Sequence, residues 1–312
     1  LWLTLLEPPD ACYPVLEAVI VNKRELADAV WAPIRRQFEA NKIAAAIYSM
    51  NYLPASQMPD KKLAQVVADS PLPWLNKLPS DFSGSRMQRE LAVLAIQRVA
   101  RNDPRVAADQ LEKIAGSLKP GEKNWAWSQI GLQAAQRHLP EAMDWYRQAG
   151  DSALSDEAAE WKVRAALRVQ DWGSVRATIE KMPPTLAAQP AWTYWLGRAY
   201  RAGGRLEDAN NLFARIAGQP DFYGSLANDE LGRTTMTPPK AAPPTREELA
   251  QVAAIPGVQR AQAFFRLNLR TDGVKEWGWA LRGMSDRELL AASEIALRSG
   301  NYDRAIAAAD RT

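Results

Sequence analysis

Apolar residues along this chain recur at intervals of three and four, the spacing of one face of an α-helix, and strand-type alternation is almost absent. Trp172, Val175, Ile179 and Met182 form one such stripe; Ala158, Trp161, Ala165 and Val169 form another on the segment before it. Start signals agree with the periodicity. Ser85 with Gln88, Thr245 with Glu248 and Ser285 with Glu288 have the spacing of a capping box, in which two side chains each accept a free backbone N–H. Asp103-Pro104 reads as an N-cap followed by proline at the first helical position, where its missing donor is harmless. The predicted helices are short and paired: 86–101 with 104–116, 122–136 with 140–149, 156–169 with 172–182, and 190–202 with 206–217.

Corresponding starts lie about 34 residues apart, and Trp127, Trp161 and Trp195 are spaced by 34 each time, which is the period of tetratricopeptide-type repeats. The unit holding Leu196, Gly197, Tyr200, Ala209 and Phe213 fits that pattern best, and Gly300-Asn301-Tyr302 with Ala305 repeats its turn. A small residue such as Ala209 lets two helices approach, while Trp, Leu and Phe fill the space between pairs. No single pair covers its own apolar face, so the pairs must stack. The expectation is an all-α superhelix, an α-solenoid of antiparallel pairs, with the three tryptophans in equivalent buried positions. Prolines at 54, 59, 71, 73 and 79 permit only short helical pieces over 50–82. Residues 233–245 (RTTMTPPKAAPPT) carry four prolines and few apolar anchors, the composition of an extended linker. The expected division is a helical-repeat domain over 1–232, a linker over 233–245 and a small helical module over 246–312.

Composition narrows the function. Thirty-nine basic and 36 acidic residues nearly balance, and the basic ones come at most in pairs, which argues against nucleic-acid binding. No apolar stretch reaches the ~20 residues of a membrane span. The opening Leu1-Trp2-Leu3-Thr4-Leu5-Leu6 reads as the middle of a buried helix, so the sequence is expected to be a piece of a longer protein. With one cysteine, Cys12, and one histidine, His138, neither a Cys/His metal site nor a nucleophilic triad independent of His138 can be assembled. His138 lies in a turn-like break and is expected to be solvated. No catalytic or metal-binding residue and no cofactor is therefore expected, and glycan-contacting residues cannot be picked out. Carboxylates such as Asp156-Glu157 and Glu247-Glu248 fall at helix starts, where they complement the helix dipole, and the other acids are expected on polar faces. The glycines are expected at helix ends. Most of the twelve tryptophans occupy core-facing positions, but Trp277 and Trp279 cannot share one stripe, so one of them should be exposed.

Specific segments add a family. Asp221-Phe222-Tyr223-Gly224-Ser225-Leu226-Ala227 followed by Leu231-Gly232 resembles a segment near the end of the superhelical region of soluble lytic murein transglycosylases. Tyr194-Trp195, Gly204-Arg205 through Ala209, and Leu1 to Thr4 with Pro9 and Ala11-Cys12 are similar to that family too. So are Arg266, Asn268-Leu269, Glu276-Trp277 and Ser299 to Ala309, which resemble its small linker domain. The resemblance implies a ring-type superhelix and a linker domain in a periplasmic protein that handles peptidoglycan glycan strands, its own C-terminal catalytic domain and other cell-wall enzymes. In the family that catalytic domain cleaves between N-acetylmuramic acid and N-acetylglucosamine to leave 1,6-anhydro products, using a glutamate in a Glu-Ser motif. No Glu-Ser dipeptide occurs in these 312 residues. The resemblance and an early start together suggest that Cys12 pairs with a cysteine upstream of Leu1; a small buried thiol is the plainer alternative. A tetratricopeptide-type adaptor that holds a peptide in its concave groove remains the rival reading.

Overall fold

The computed structural model describes residues 6, 14, 18, 29–150, 153–234 and 240–312, and among them every regular element is helical. The chain divides into two compact units, Leu1–Thr235 and Met236–Thr312. In the larger unit α1 (Trp31–Glu39) and α2 (Ile43–Ser49) form a pair, and α3 (Lys61–Asp69) and α4 (Pro71–Leu75) occupy the proline-rich stretch. The pairs α5 (Arg86–Asn102) with α6 (Pro104–Ile114), α7 (Pro120–Gln136) with α8 (Ala142–Ala149), and α9 (Asp156–Arg168) with α10 (Trp172–Ile179) then stack in order. After the single turn α11 (Pro184–Ala187) comes the pair α12 (Pro190–Ala202) and α13 (Leu206–Ile216), closed by α14 (Phe222–Glu230). The smaller unit contains α15 (Arg246–Ala253), α16 (Pro256–Arg266), α17 (Arg270–Ala280), α18 (Asp286–Arg298) and α19 (Tyr302–Ala309).

One turn recurs. At Asn41, His138, Gln170, Gly204, Gly232, Asn268 and Gly300 the residue after a helix has a φ of +56 to +78°, in the left-handed region. Each is followed by the same pair of bonds: at the second of them the His138 N–H reaches the Ala135 carbonyl and the Leu139 N–H that of Ala134. The same bonding repeats from Gln170 and Asp171 to Leu167 and Ala166, and from Gly204 and Arg205 to Arg201 and Tyr200. This is a Schellman closure, which satisfies the last carbonyls of a helix and reverses the chain. His138 and Gln170 are 32 residues apart and Gln170 and Gly204 are 34, so the turn recurs at close to the repeat period.

Several sequence expectations need correction. Trp127 is buried, but Trp161 and Trp195 are only half-buried, so the three are not equivalent. In the α12 repeat the buried aromatics are Trp192 and Tyr194 instead. Val169 is exposed, because α9 ends at Arg168 and the chain turns through Gln170. Thr245–Glu248 and Ser285–Glu288 form reciprocal capping boxes, whereas at Ser85 only the serine oxygen accepts, from the Gln88 N–H. Nor are all glycines at helix ends. Gly197 and Gly131 lie inside α12 and α7, where a Cβ would stand 2.6 Å from the Phe213 ring and 3.0 Å from that of Tyr146. In both pairs a ring of the second helix packs against the glycine of the first, which brings the two helices closer than any larger residue allows.

Candidate functional site

The motif that suggested a family closes the repeat array. Asp221 caps α14 by accepting the Gly224 N–H at 2.7 Å. Gly224 sits where α14 folds back on the end of α13: a Cβ there would stand 2.1 Å from the Gln219 carbonyl oxygen and 2.9 Å from that of Ile216. Backbone cannot yield to that overlap, so the position requires glycine. Ala227 is fully buried, the Asn228 amide donates to the Ala217 carbonyl at 2.8 Å, and Gly232 supplies the closing left-handed turn. Tyr223 brings its ring to 5.7 Å from Tyr194, which lies 5.6 Å from Phe213 and edge-on to Trp195 at 5.2 Å.

A polar cluster binds this aromatic group to α14. The Tyr194 hydroxyl donates to Glu230 at 3.2 Å and accepts from Arg198 at 3.0 Å. Arg198 pairs with the Glu230 carboxylate at 3.1 Å, and Arg201 bonds both that carboxylate and the Glu230 carbonyl, the latter at 3.0 Å. Burial pushes the Tyr194 phenol up. The Glu230 carboxylate is held between two guanidiniums of α12, so the cluster ties α12 to α14.

The remaining candidates do not assemble into a catalytic centre. His138 is exposed in its left-handed turn, as a solvated interhelical histidine should be, with its ring 6.1 Å from Trp161. Trp277 is buried and Trp279 is 64% exposed, with the Arg282 guanidinium 4.4 Å from the Trp279 ring. Cys12 lies outside the described residues, as does the opening segment. Among the described residues no three of His, Cys, Asp and Glu gather in a way that could hold a metal ion.

The expectation that every carboxylate occupies a helix end or a polar face fails at Glu90, inside α5, while Glu39 at the end of α1 and Glu122 in the first turn of α7 are helix-end carboxylates drawn into networks. Glu39 is buried enough for desolvation to raise its pKa; Ser155 and Gln129 donate to its two oxygens, the Gln129 bond at 3.0 Å, and Glu157 adds repulsion. Glu90, also buried, is raised by desolvation against the opposing pull of Arg35, to which it bonds at 2.7 Å. Glu122 is buried with Arg89, whose Nε lies 3.0 Å from the carboxylate and whose Nη1 donates to the Ser83 carbonyl. One sign of this network was readable: Arg89-Glu90 opens an otherwise apolar run through Ile96, and Glu122 follows Arg89 by 33 residues, about one repeat. Glu39 gave no such sign, because its partners are 90 and 116 residues away.

The fold and these residues define a class: a two-unit, all-helical protein whose larger unit is a stacked-pair scaffold and whose described residues form no catalytic constellation. Comparison shows what the chain is similar to. Residues 251–312 match the model of the soluble lytic murein transglycosylase L domain. A soluble lytic murein transglycosylase of Salmonella typhimurium is 21% identical over 99% of this chain and 48% of its own length. The structure of an inactive mutant of the lytic transglycosylase Slt from Pseudomonas aeruginosa is 26% identical over 99% of this chain and 51% of that one, with a TM-score of 0.65. The fold also matches the 70 kDa soluble lytic transglycosylase of Escherichia coli, at 19% identity and a TM-score of 0.59, over 98% of this chain and 50% of that one. Residues 251–312 thus match the L domain of that family, and the chain as a whole is similar to soluble lytic transglycosylases in sequence and fold. It spans about half the length of the relatives it matches.

Proposed function

We propose that these 312 residues are the non-catalytic scaffold of a lytic transglycosylase that cleaves peptidoglycan between N-acetylmuramic acid and N-acetylglucosamine to leave 1,6-anhydro ends. On this reading residues 1–232 form the ring-type repeat domain, 233–245 the linker and 246–312 a small linker domain that leads to the catalytic one. The scaffold positions that domain and confines glycan strands beside it, in the periplasm. One observation carries the reading: alignment to transglycosylases over 99% of the chain, in a molecule whose buried carboxylates are all tied into structural networks. Cleavage needs a carboxyl that protonates the glycosidic oxygen and then assists closure of the anhydro ring, in a cleft that keeps it protonated. Glu90 and Glu122 are ion-paired, and Glu39 is enclosed between Gln129 and Ser155, so none of them stands ready for that work. A related soluble transglycosylase solved in complex with bulgecin A matches this chain at 18% identity. No helix of the described residues is long and apolar enough to cross a membrane, in keeping with a scaffold that works outside the bilayer.

The test is murein digestion. Residues 1–312 should release no anhydro-muropeptides, whereas a longer protein carrying these residues and a lysozyme-like domain should release them, as read by mass spectrometry of the soluble products. Anhydro products from residues 1–312 alone would place an active site within them, and an inactive long form would overturn the reading.

A further inference from the structure

A cleft of about 450 Å³ opens in the larger unit beside the N-terminal ends of α5 and α7 and the flank of α1. That volume is within the range of small-ligand sites, roughly 300–1,000 Å³, and far exceeds what an inorganic ion needs. Its walls carry Arg35, Arg86, Arg89 and Lys119 together with the carboxylates Glu90 and Glu122. Both carboxylates are buried and already engaged. Glu90 bonds Arg35 at 2.7 Å and faces Arg86 at 3.7 Å, while Glu122 holds Arg89 and accepts the Lys119 backbone N–H at 2.8 Å. Their role is to hold the guanidiniums in fixed positions.

Donors remain after those bonds are made. A guanidinium carries five N–H groups, and Arg35 directs its Nε and Nη2 to Glu90, with no bond from Nη1 to any described residue. The Lys119 side chain is exposed and makes no ion pair among the described residues. Gly121, in the first turn of α7, has nothing within 4 Å of where a Cβ would stand, so the positive end of that helix opens on the same space. Trp31 adds an apolar wall. A fixed guanidinium Nη1, a mobile ammonium and the positive end of a helix suit a carboxylate attached to an organic body.

We propose that this cleft binds a carboxylate-bearing ligand, namely the peptide side arm of a murein fragment, an assignment that rests on the murein reading above. Calorimetric titration of the whole chain tests it with four probes: a murein disaccharide-tetrapeptide, the free tetrapeptide, a bare neutral disaccharide of two N-acetylglucosamines, and inorganic phosphate. The two peptide-bearing probes should bind with similar affinity, more weakly as salt is raised, and the bare disaccharide should not. Lys119→Gln, at an exposed position that leaves every ion pair intact, should weaken peptide binding roughly tenfold, the worth of one charge-assisted hydrogen bond. No binding of either peptide probe, or binding unchanged in both Lys119→Gln and Arg35→Lys, overturns the proposal. Phosphate that displaces the tetrapeptide at equal affinity overturns the peptide assignment in favour of a simple anion site. The murein reading fails separately: an inactive long form with intact, Lys119-dependent tetrapeptide binding removes that reading and leaves a carboxylate site.

Discussion

The two units cover the apolar faces of short helices with different interiors. The larger one admits polar and charged side chains to its core: Gln37 and Gln97 are fully buried, and Arg89, Glu90 and Glu122 nearly so. The core of the smaller unit is Trp277, Leu281 and Leu289 set among alanines, and Asn301 is the only buried polar residue recorded there among the described residues. Its ion pairs, among them Arg260–Glu276, Arg270–Asp303 and Arg287–Glu248, lie outside the core, and its exposed apolar residues include Leu267, Trp279, Tyr302 and Ile306. The difference shows two ways of fixing register. In the larger unit polar bonds across 33 to 116 residues choose which helices meet, since a mismatched partner would strand a buried charge. In the smaller unit local caps start the helices, apolar contact holds them, and the polar bonds between helices lie outside the core.

The largest expected effect breaks the buried pair. Arg89→Ala leaves Glu122 enclosed without its partner and should cost about 3–5 kcal/mol in denaturant unfolding, whereas replacing both residues by apolar ones of similar size should come near neutral. In the smaller unit Arg260→Ala removes a pair whose arginine is 59% exposed, and should cost less than about 1 kcal/mol. Equal losses at the two sites would show that the Arg89–Glu122 pair is hydrated and that the contrast between the interiors is unfounded.

The same contrast decides what the sequence revealed. Helix positions, the 34-residue period and the weak region around residues 50–82 were legible, because caps, prolines and periodicity act locally. The exposure of one of Trp277 and Trp279 was legible as well, because two residues two apart on a helix cannot face one stripe. The burial of Glu39 was not, since nothing near it marks a side chain whose partners come from α7 and the N-cap of α9. The half-exposure of Trp161 and Trp195 was missed for another reason. An equal period does not guarantee equal burial when Trp161 is followed by the pair that carries Trp192, whereas the pair that carries Trp195 is followed only by the single helix α14. The motif from Asp221 to Gly232 was legible as a family mark, but its physical cause, the carbonyls of Ile216 and Gln219 against Gly224, exists only in three dimensions.

Acidity separates the units more gently. Burial raises Glu39, so the folded larger unit holds that proton more tightly than the unfolded chain does. Its contribution is full below the unfolded value near 4.5 and is lost as pH rises through the folded value. Glu248 in the smaller unit is lowered to about 2 by Arg287 and the Thr245 N–H. That contribution is present above 4.5 and is lost as pH falls toward 2. Melting curves should therefore show Glu39→Gln gaining on the parent as pH rises from 4.5 to 7, and Glu248→Gln losing least at the acid end. Parallel pH profiles for Glu39→Gln and the parent would mean that Glu39 ionises normally.

The smallest effect tests the turn that the two units share. Gln170 and Gly300 occupy the same Schellman position, with φ of +56° and +73°, and both are exposed. A side chain there crowds the following carbonyl, at a cost of about 1–2 kcal/mol, while glycine adds conformational entropy to the unfolded chain and returns part of that difference. Neither position has a packing contribution to confuse the measurement: a Cβ at Gly300 would meet nothing within 4 Å, and the Gln170 side chain bonds to nothing among the described residues. Gln170→Gly should therefore stabilise the larger unit, and Gly300→Ala destabilise the smaller one, each by about 0.5–1 kcal/mol in denaturant unfolding. Opposite signs of similar size would show that the closure is the same physical object in both units, despite their different interiors. A stabilising Gly300→Ala would show that this turn relaxes out of the left-handed region, and that the repeat geometry of the smaller unit is held by its alanine-lined core alone.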